Sequence, residues 1–226
     1  MKSVLTNEYL SDFSSNELKN APNKLYYSGD LDLLKSQRKV SVVGSRKISH
    51  KGLKRAEIIT KYLTNHNFTV VSGLAQGVDT IAHTTAINNG GKTIAVIGTS
   101  LEQFYPKNNQ NLQLEIMNHH LCISQFSEGH PTQPKNFILR NRTMALISDA
   151  TIIIEASEQS GTRHQGWEAL RLGRKLFLLE NLFTENNLSW PNEMLEYGAQ
   201  KLTRGNYQEL LEEVPYLISN KEAVLE

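Results

Sequence analysis

Phe68-Thr69-Val70-Val71-Ser72-Gly73-Leu74-Ala75-Gln76-Gly77-Val78-Asp79 reads as a short buried strand running into a glycine-punctuated turn and then a helix. Such a turn makes a place for an anion. The first N–H groups of a helix lack partners within it, and the aligned peptide dipoles put a partial positive charge there. Gly73 and Gly77 allow positive φ and close approach of a ligand, which a Cβ would obstruct. Upstream, Val40-Ser41-Val42-Val43-Gly44-Ser45-Arg46 repeats the pattern, a β-branched run ending in a small-residue turn, with Arg46 adding a cation. Two such seats on neighbouring strand ends predict a ligand longer than a single phosphate.

Outward from these turns the chain alternates strand and helix. Strands are predicted at 40–43, 68–71, 93–97, 121–124, 151–154 and 175–179, with helices near 50–65, 77–89, 108–118, 134–148 and 162–172. Leu53, Ala56, Ile59 and Leu63 recur at helical spacing, so one side of their helix faces a sheet. The strands are unbroken apolar runs, as expected of parallel strands covered on both faces. The fold expected is α/β, a doubly wound, mostly parallel sheet with helices on both faces. Residues 1–24 read as an irregular lead-in with a helix cap at Ser14, and 25–215 as a single domain opening on a strand at Lys24–Asp30. Residues 216–226 read as a tail, Leu225-Glu226 having the look of an appended scar.

Composition sets limits. With 24 Lys+Arg against 23 Asp+Glu the formal charge is +1, so the whole chain shows no polyanion-binding bias. Locally the balance is uneven. Nine cations (Lys35, Arg38, Lys39, Arg46, Lys47, Lys51, Lys54, Arg55, Lys61) face Glu57 alone across 35–61, whereas from Glu180 onward nine Glu face Lys201, Arg204 and Lys221. A molecule polarised in this way can present a basic face to nucleic acid, or its lysines can simply solvate a helix. Cys122 is the single cysteine, which excludes a disulfide framework and suits a reducing cytoplasm. No secretory leader and no apolar run of membrane-spanning length is visible, so no membrane partner is expected.

Ligands of open α/β sheets bind beyond the carboxyl ends of the strands. Four such places carry suggestive groups: Gly44-Ser45-Arg46, the 72–77 turn, Phe137 to Arg142, and Glu155 to Thr162. Pro134 opens a helix that sets Asn136 and Arg140 on one side, with Phe137 and Asn141 beside them. A guanidinium can grip a phosphate with two hydrogen bonds and a ring can stack an unpaired base; the competing readings are an internal ion pair for Arg140 and core packing for Phe137. Neither glycine turn fits the dinucleotide fingerprint, and Gly91-Lys92-Thr93 follows a helix rather than a strand, so it is a helix end and not a phosphate loop. The seven histidines show no metal-ligand spacing, no nucleophile elbow is present, and Asp79 reads as a cap in the first turn of its helix. No cofactor, metal site or catalytic residue is expected.

These segments, together with Leu25-Tyr26-Tyr27-Ser28-Gly29-Asp30, Ala95-Val96-Ile97-Gly98-Thr99 and Tyr105-Pro106, make the chain resemble the DNA processing protein A family (DprA/Smf) over roughly residues 24–180. The resemblance implies an extended Rossmann-like domain that binds single-stranded DNA, homodimerises, protects incoming strands in natural transformation and helps load the RecA recombinase. It carries DNA contact onto Gly44, Ser45, Arg46, Ser72, Gly73, Ala75, Gly77, Lys135, Phe137, Arg140, Asn141, Gly161 and Thr162. The chain departs from the family after Gly161, where Arg163-His164-Gln165-Gly166-Trp167-Glu168 replaces a small apolar stretch. An alternative comes from the similar fold of phosphoribohydrolases, which pair a Gly-Thr turn with a glutamate. Here those would be Gly161-Thr162 and Glu168 as general base.

Overall fold

The computed structural model describes residues 2–35, 38–184 and 188–216. The chain begins with β1 (Lys2–Leu5), α1 (Thr6–Tyr9), α2 (Ser15–Leu18) and β2 (Lys24–Gly29). Alternation then sets in: β3 (Lys39–Val43), α3 (His50–Asn65), β4 (Thr69–Ser72), α4 (Val78–Asn88), β5 (Thr93–Ile97), α5 (Gln110–His119) and β6 (Leu121–Ser124). It continues through α6 (Pro134–Ile147), β7 (Ala150–Ile153), α7 (Gly161–Arg171), β8 (Lys175–Leu179), α8 (Asn181–Thr184), α9 (Trp190–Glu196), β9 (Gln200–Leu202) and α10 (Tyr207–Glu212).

One sheet holds all nine strands in the order β1-β2-β6-β5-β4-β3-β7-β8-β9. The stretch from β6 to β9 is parallel, and β2 and β1 add antiparallel at one edge. The doubly wound expectation holds. Alternate residues of the buried strands feed opposite layers: Val42, Val70, Ile152 and Phe177 pack with Ala56 of α3, Ala82 of α4 and Leu211 of α10. Their neighbours Val43, Val71, Ile153 and Leu178 pack with Met144 of α6, Ala169 of α7 and Trp190 of α9. Two-sided burial explains why the strand sequences are continuous Val/Ile runs.

The lead-in is more regular than expected. β1 pairs with β2, Leu10 is buried in the core, and Ser14 and Glu17 form a reciprocal capping box at α2. Its ordering is also ionic, because Arg174 Nη2 reaches Glu17 Oε1 at 2.7 Å. The strand Gln200–Leu202 and the helix Trp190–Glu196 were not anticipated either. Their residues are too few and too mixed to carry a period, and burial against β8 and α7 decides them. Most of the anticipated tail, 217–226, lies outside the described residues.

Connections diverge at β3 and β7: β4, β5 and β6 follow β3 to one side, and β8 and β9 follow β7 to the other. The crevice over the carboxyl ends of β3 and β7 is therefore the topological switch point.

Candidate functional site

A trough of about 780 Å³ lies over that switch point, walled by the loop after β3 (Gly44 to Lys47), the loop after β7 (Glu155 to Ser160), and the starts of α6 and α7. A second hollow of about 330 Å³ continues it past Gly73, Gly98, Tyr105 and Lys107, the two sharing Arg46, Ala75, Phe137 and Arg140. Gly44, Ser45, Arg46, Gly73, Ala75, Phe137, Arg140, Asn141, Gly161 and Thr162 thus border one continuous groove.

Arg46 is exposed, and its guanidinium carbon sits 5.6 Å from the centre of the Phe137 ring. Phe137 lies on Gly98, where a Cβ would come within 2.7 Å of its ring, and faces Tyr105 at a centroid distance of 5.3 Å. Tyr105 is 48 % exposed. The groove thus offers two neighbouring aromatic faces and a cation with no acceptor of its own among the described residues, a combination suited to an unpaired base and its phosphate.

The 72–77 turn is arranged differently from the expectation. Gly73 has ordinary backbone geometry; it lacks a side chain because the Arg140 guanidinium fills that space, donating to the carbonyls of Gly73 and Val96. Positive φ falls on Gly77 (79°), as expected, and on buried Leu74 (60°) in place of Gly73. Asn109 Nδ2 stabilises Leu74 by donating to its carbonyl at 2.9 Å. The amides of Gly73 and Ala75 donate to Asp79 Oδ2 at 3.2 and 3.3 Å. This anion seat therefore already holds a carboxylate. Burial pushes the Asp79 carboxyl upward against the pull of the Arg140 guanidinium, and burial likewise draws Arg140 down against Asp79. Arg140, only 5 % exposed, is an internal strut and not a free phosphate grip.

The other seat is also filled. Ser49 N and Oγ, at the start of α3, donate to Glu155 Oε1 and Oε2 at 3.0 and 2.6 Å. Three residues assigned to DNA contact stand outside the groove walls. Ser72 is buried and donates to the Val42 carbonyl at 2.7 Å, joining β4 to β3. Gly77 permits the loops to stack, since a Cβ there would overlap the Ser45 carbonyl. Lys135 is exposed on the first turn of α6. At α7, Ser160 Oγ accepts from Thr162 N at 3.3 Å, and Asn141 Nδ2 holds the Gly161 carbonyl at 3.1 Å. Glu168 is turned away, both oxygens bound by Arg171, which removes it as a general base over the groove.

The basic stretch divides on folding. Lys39 is 2 % exposed with its Nζ 3.8 Å from Asp149 Oδ2, and Arg38 lies over Phe68 while donating to the Glu212 and Val214 carbonyls. The exposed cations at the groove are Arg46, Lys47 and Lys107. Lys107, Tyr105 and Gln76 carry no local sequence signal as site residues, because nothing local says that the Tyr105-Pro106 loop folds back beside Phe137. No helix among the described residues is long and apolar enough to cross a membrane.

Comparison with known proteins agrees with this picture. The family model for DNA recombination-mediator protein A matches residues 4–215. The DNA processing protein DprA of Streptococcus pneumoniae is 40 % identical over 214 residues, covering 95 % of this chain and 74 % of that protein. Its X-ray structure superposes with a TM-score of 0.82 at 36 % identity over the same shares. The Helicobacter pylori DNA processing protein A, solved in a study of its single-stranded DNA binding mode, superposes at 0.77 with 31 % identity, covering 90 % of this chain and 94 % of that one. The chain spans 65 % of the Bacillus subtilis DprA. Structures of molybdenum cofactor carriers share the fold at 15 % identity and a TM-score of 0.54, and nothing more follows from them. With sequence, fold and groove in accord, this chain belongs to the DNA recombination-mediator protein A family.

Proposed function

We propose that the chain binds single-stranded DNA along the switch-point groove, without catalysis, in the cytoplasm of a cell taking up DNA. It protects the strand and passes it to a RecA-type recombinase, working as a homodimer. The carrying observation is the exposed Arg46 guanidinium set over Phe137, with Tyr105 alongside, in a groove long enough for more than one nucleotide. Stacking on such rings is worth about 1–3 kcal/mol per base and tolerates any base, so sequence preference is slight. Duplex DNA keeps its bases paired and out of reach of the rings. The relative from Helicobacter pylori, described by its single-stranded DNA binding mode, supports the same reading.

The test is a mobility shift of single-stranded and duplex oligonucleotides with wild type, Arg46→Ala and Lys135→Ala. The single strand is expected to bind preferentially, Arg46→Ala to bind more weakly, and Lys135→Ala to lose less. Equal binding by wild type and Arg46→Ala overturns the reading. Size exclusion with light scattering tests the dimer, and co-precipitation with a RecA-type protein on DNA tests the hand-over.

A further inference from the structure

We propose that Glu155 is a resident anion of the groove: it keeps the start of α3 closed to phosphate and loosens the grip on a bound strand. This rests on the groove being the DNA site.

The 16-residue helix α3 opens His50-Lys51-Gly52-Leu53, with no acid in its own first turn to answer its N-terminal partial charge. Glu155 supplies that charge from the end of β7. Its oxygens receive Ser49 N at 3.0 Å and Ser49 Oγ at 2.6 Å, while Ser49 Oγ accepts from Gly52 N at 2.9 Å and so completes the cap. Gly52 is glycine at the point where a Cβ would overlap the Glu155 carboxylate. The backbone of Glu155 is also tied in, its carbonyl accepting from Ser45 N at 2.7 Å. Two features therefore converge on the Glu155 carboxylate and a third fixes its backbone, and Glu155 borders the groove.

The charge balance gives the arrangement its consequence. Arg140 and Asp79 answer each other inside the wall, leaving Arg46 and Lys47 to face Glu155 and Glu158 around the larger hollow. A strand entering there meets repulsion as well as attraction, and removing one acid shifts the balance toward the polyanion.

Anisotropy of a labelled oligo-dT over a salt series, on wild type, Glu155→Gln, Glu155→Ala and Arg46→Ala, tests this. Glu155→Gln removes the charge and keeps one accepting oxygen for Ser49 N, its amide nitrogen donating to Ser49 Oγ in place of the second acceptance. It is expected to bind about threefold tighter at low salt, with the gain vanishing as salt screens the groove. Glu155→Ala also vacates the helix start, so millimolar inorganic phosphate at constant ionic strength should weaken its DNA binding while leaving the wild type unaffected. Glu155→Gln binding no tighter than wild type, or a wild type as sensitive to phosphate as Glu155→Ala, overturns the proposal. Arg46→Ala separates the two readings. Its binding undiminished would sink the groove as the DNA site, whereas its weakening alongside an unchanged Glu155→Gln would sink only the role of Glu155.

Discussion

The loops after β3 and β4 look alike in sequence, each an apolar strand ending in small residues before a helix, yet the structure puts them to opposite uses. The loop at Gly44-Ser45-Arg46 turns its cation outward over Phe137. The loop at Gly73-Leu74-Ala75 is sealed by Asp79, Arg140 and Asn109. Since both seats hold a carboxylate of the chain, Glu155 at one and Asp79 at the other, the difference teaches that a strand-end loop is left for a ligand by where its cation points and not by free amides.

The contrast can be broken most severely at the sealed loop. Asp79→Ala strands a buried guanidinium and two amides, and we expect about 3–5 kcal/mol of lost stability in urea unfolding. A loss under about 1 kcal/mol would show that the seal is dispensable. Gly73→Ala pushes a methyl into Arg140 and should cost about 1–3 kcal/mol. Gly161→Ala, where the nearest atom is 3.8 Å away, should stay within about 0.5 kcal/mol.

Behind the sealed loop, one helical turn beyond Asp79, buried His83 donates from Nδ1 to Thr93 Oγ1 at 2.7 Å, the threonine hydroxyl donating in turn to the Val70 carbonyl. Burial, with His120 and Arg140 nearby, lowers its pKa to about 3. Its folded value lies below the unfolded one, so between those two values the unfolded chain binds the proton and the native chain does not. Stability must then fall as pH drops below about 6.5, by about 1.4 kcal/mol at pH 5.5 from this group alone. His83→Gln should flatten that part of the profile in thermal unfolding across pH 7.5 to 5; an unchanged profile would contradict a neutral buried His83.

The open loop should respond in binding rather than folding. Arg46→Ala is expected to leave stability within about 0.5 kcal/mol of wild type and to reduce the salt slope for single-stranded DNA by about 0.7.

Much of this was legible in residues. The Val/Ile runs and their spacing specify the doubly wound sheet because two-sided burial demands them. The glycine turns mark the right edge of that sheet, and Arg46 and Phe137 were singled out. What was not legible is how tertiary structure reassigns polar groups. Arg140 reads as a phosphate grip until the carbonyls of Gly73, just past β4, and Val96 of β5 claim it, and Ser72 reads as a ligand contact until the Val42 carbonyl is seen opposite. Tyr105 shows the converse. Its loop is brought beside Phe137 by a connection that no local pattern encodes.

The account rests on the groove at Arg46 and Phe137 being where the strand lies. Photo-crosslinking of a 5-iodouracil oligonucleotide, with the adducts mapped by mass spectrometry, locates it directly. The account predicts adducts on Phe137 or Tyr105. Adducts confined to the apolar hollow between α3 and α10, lined by Ile58 and Tyr207, would contradict it.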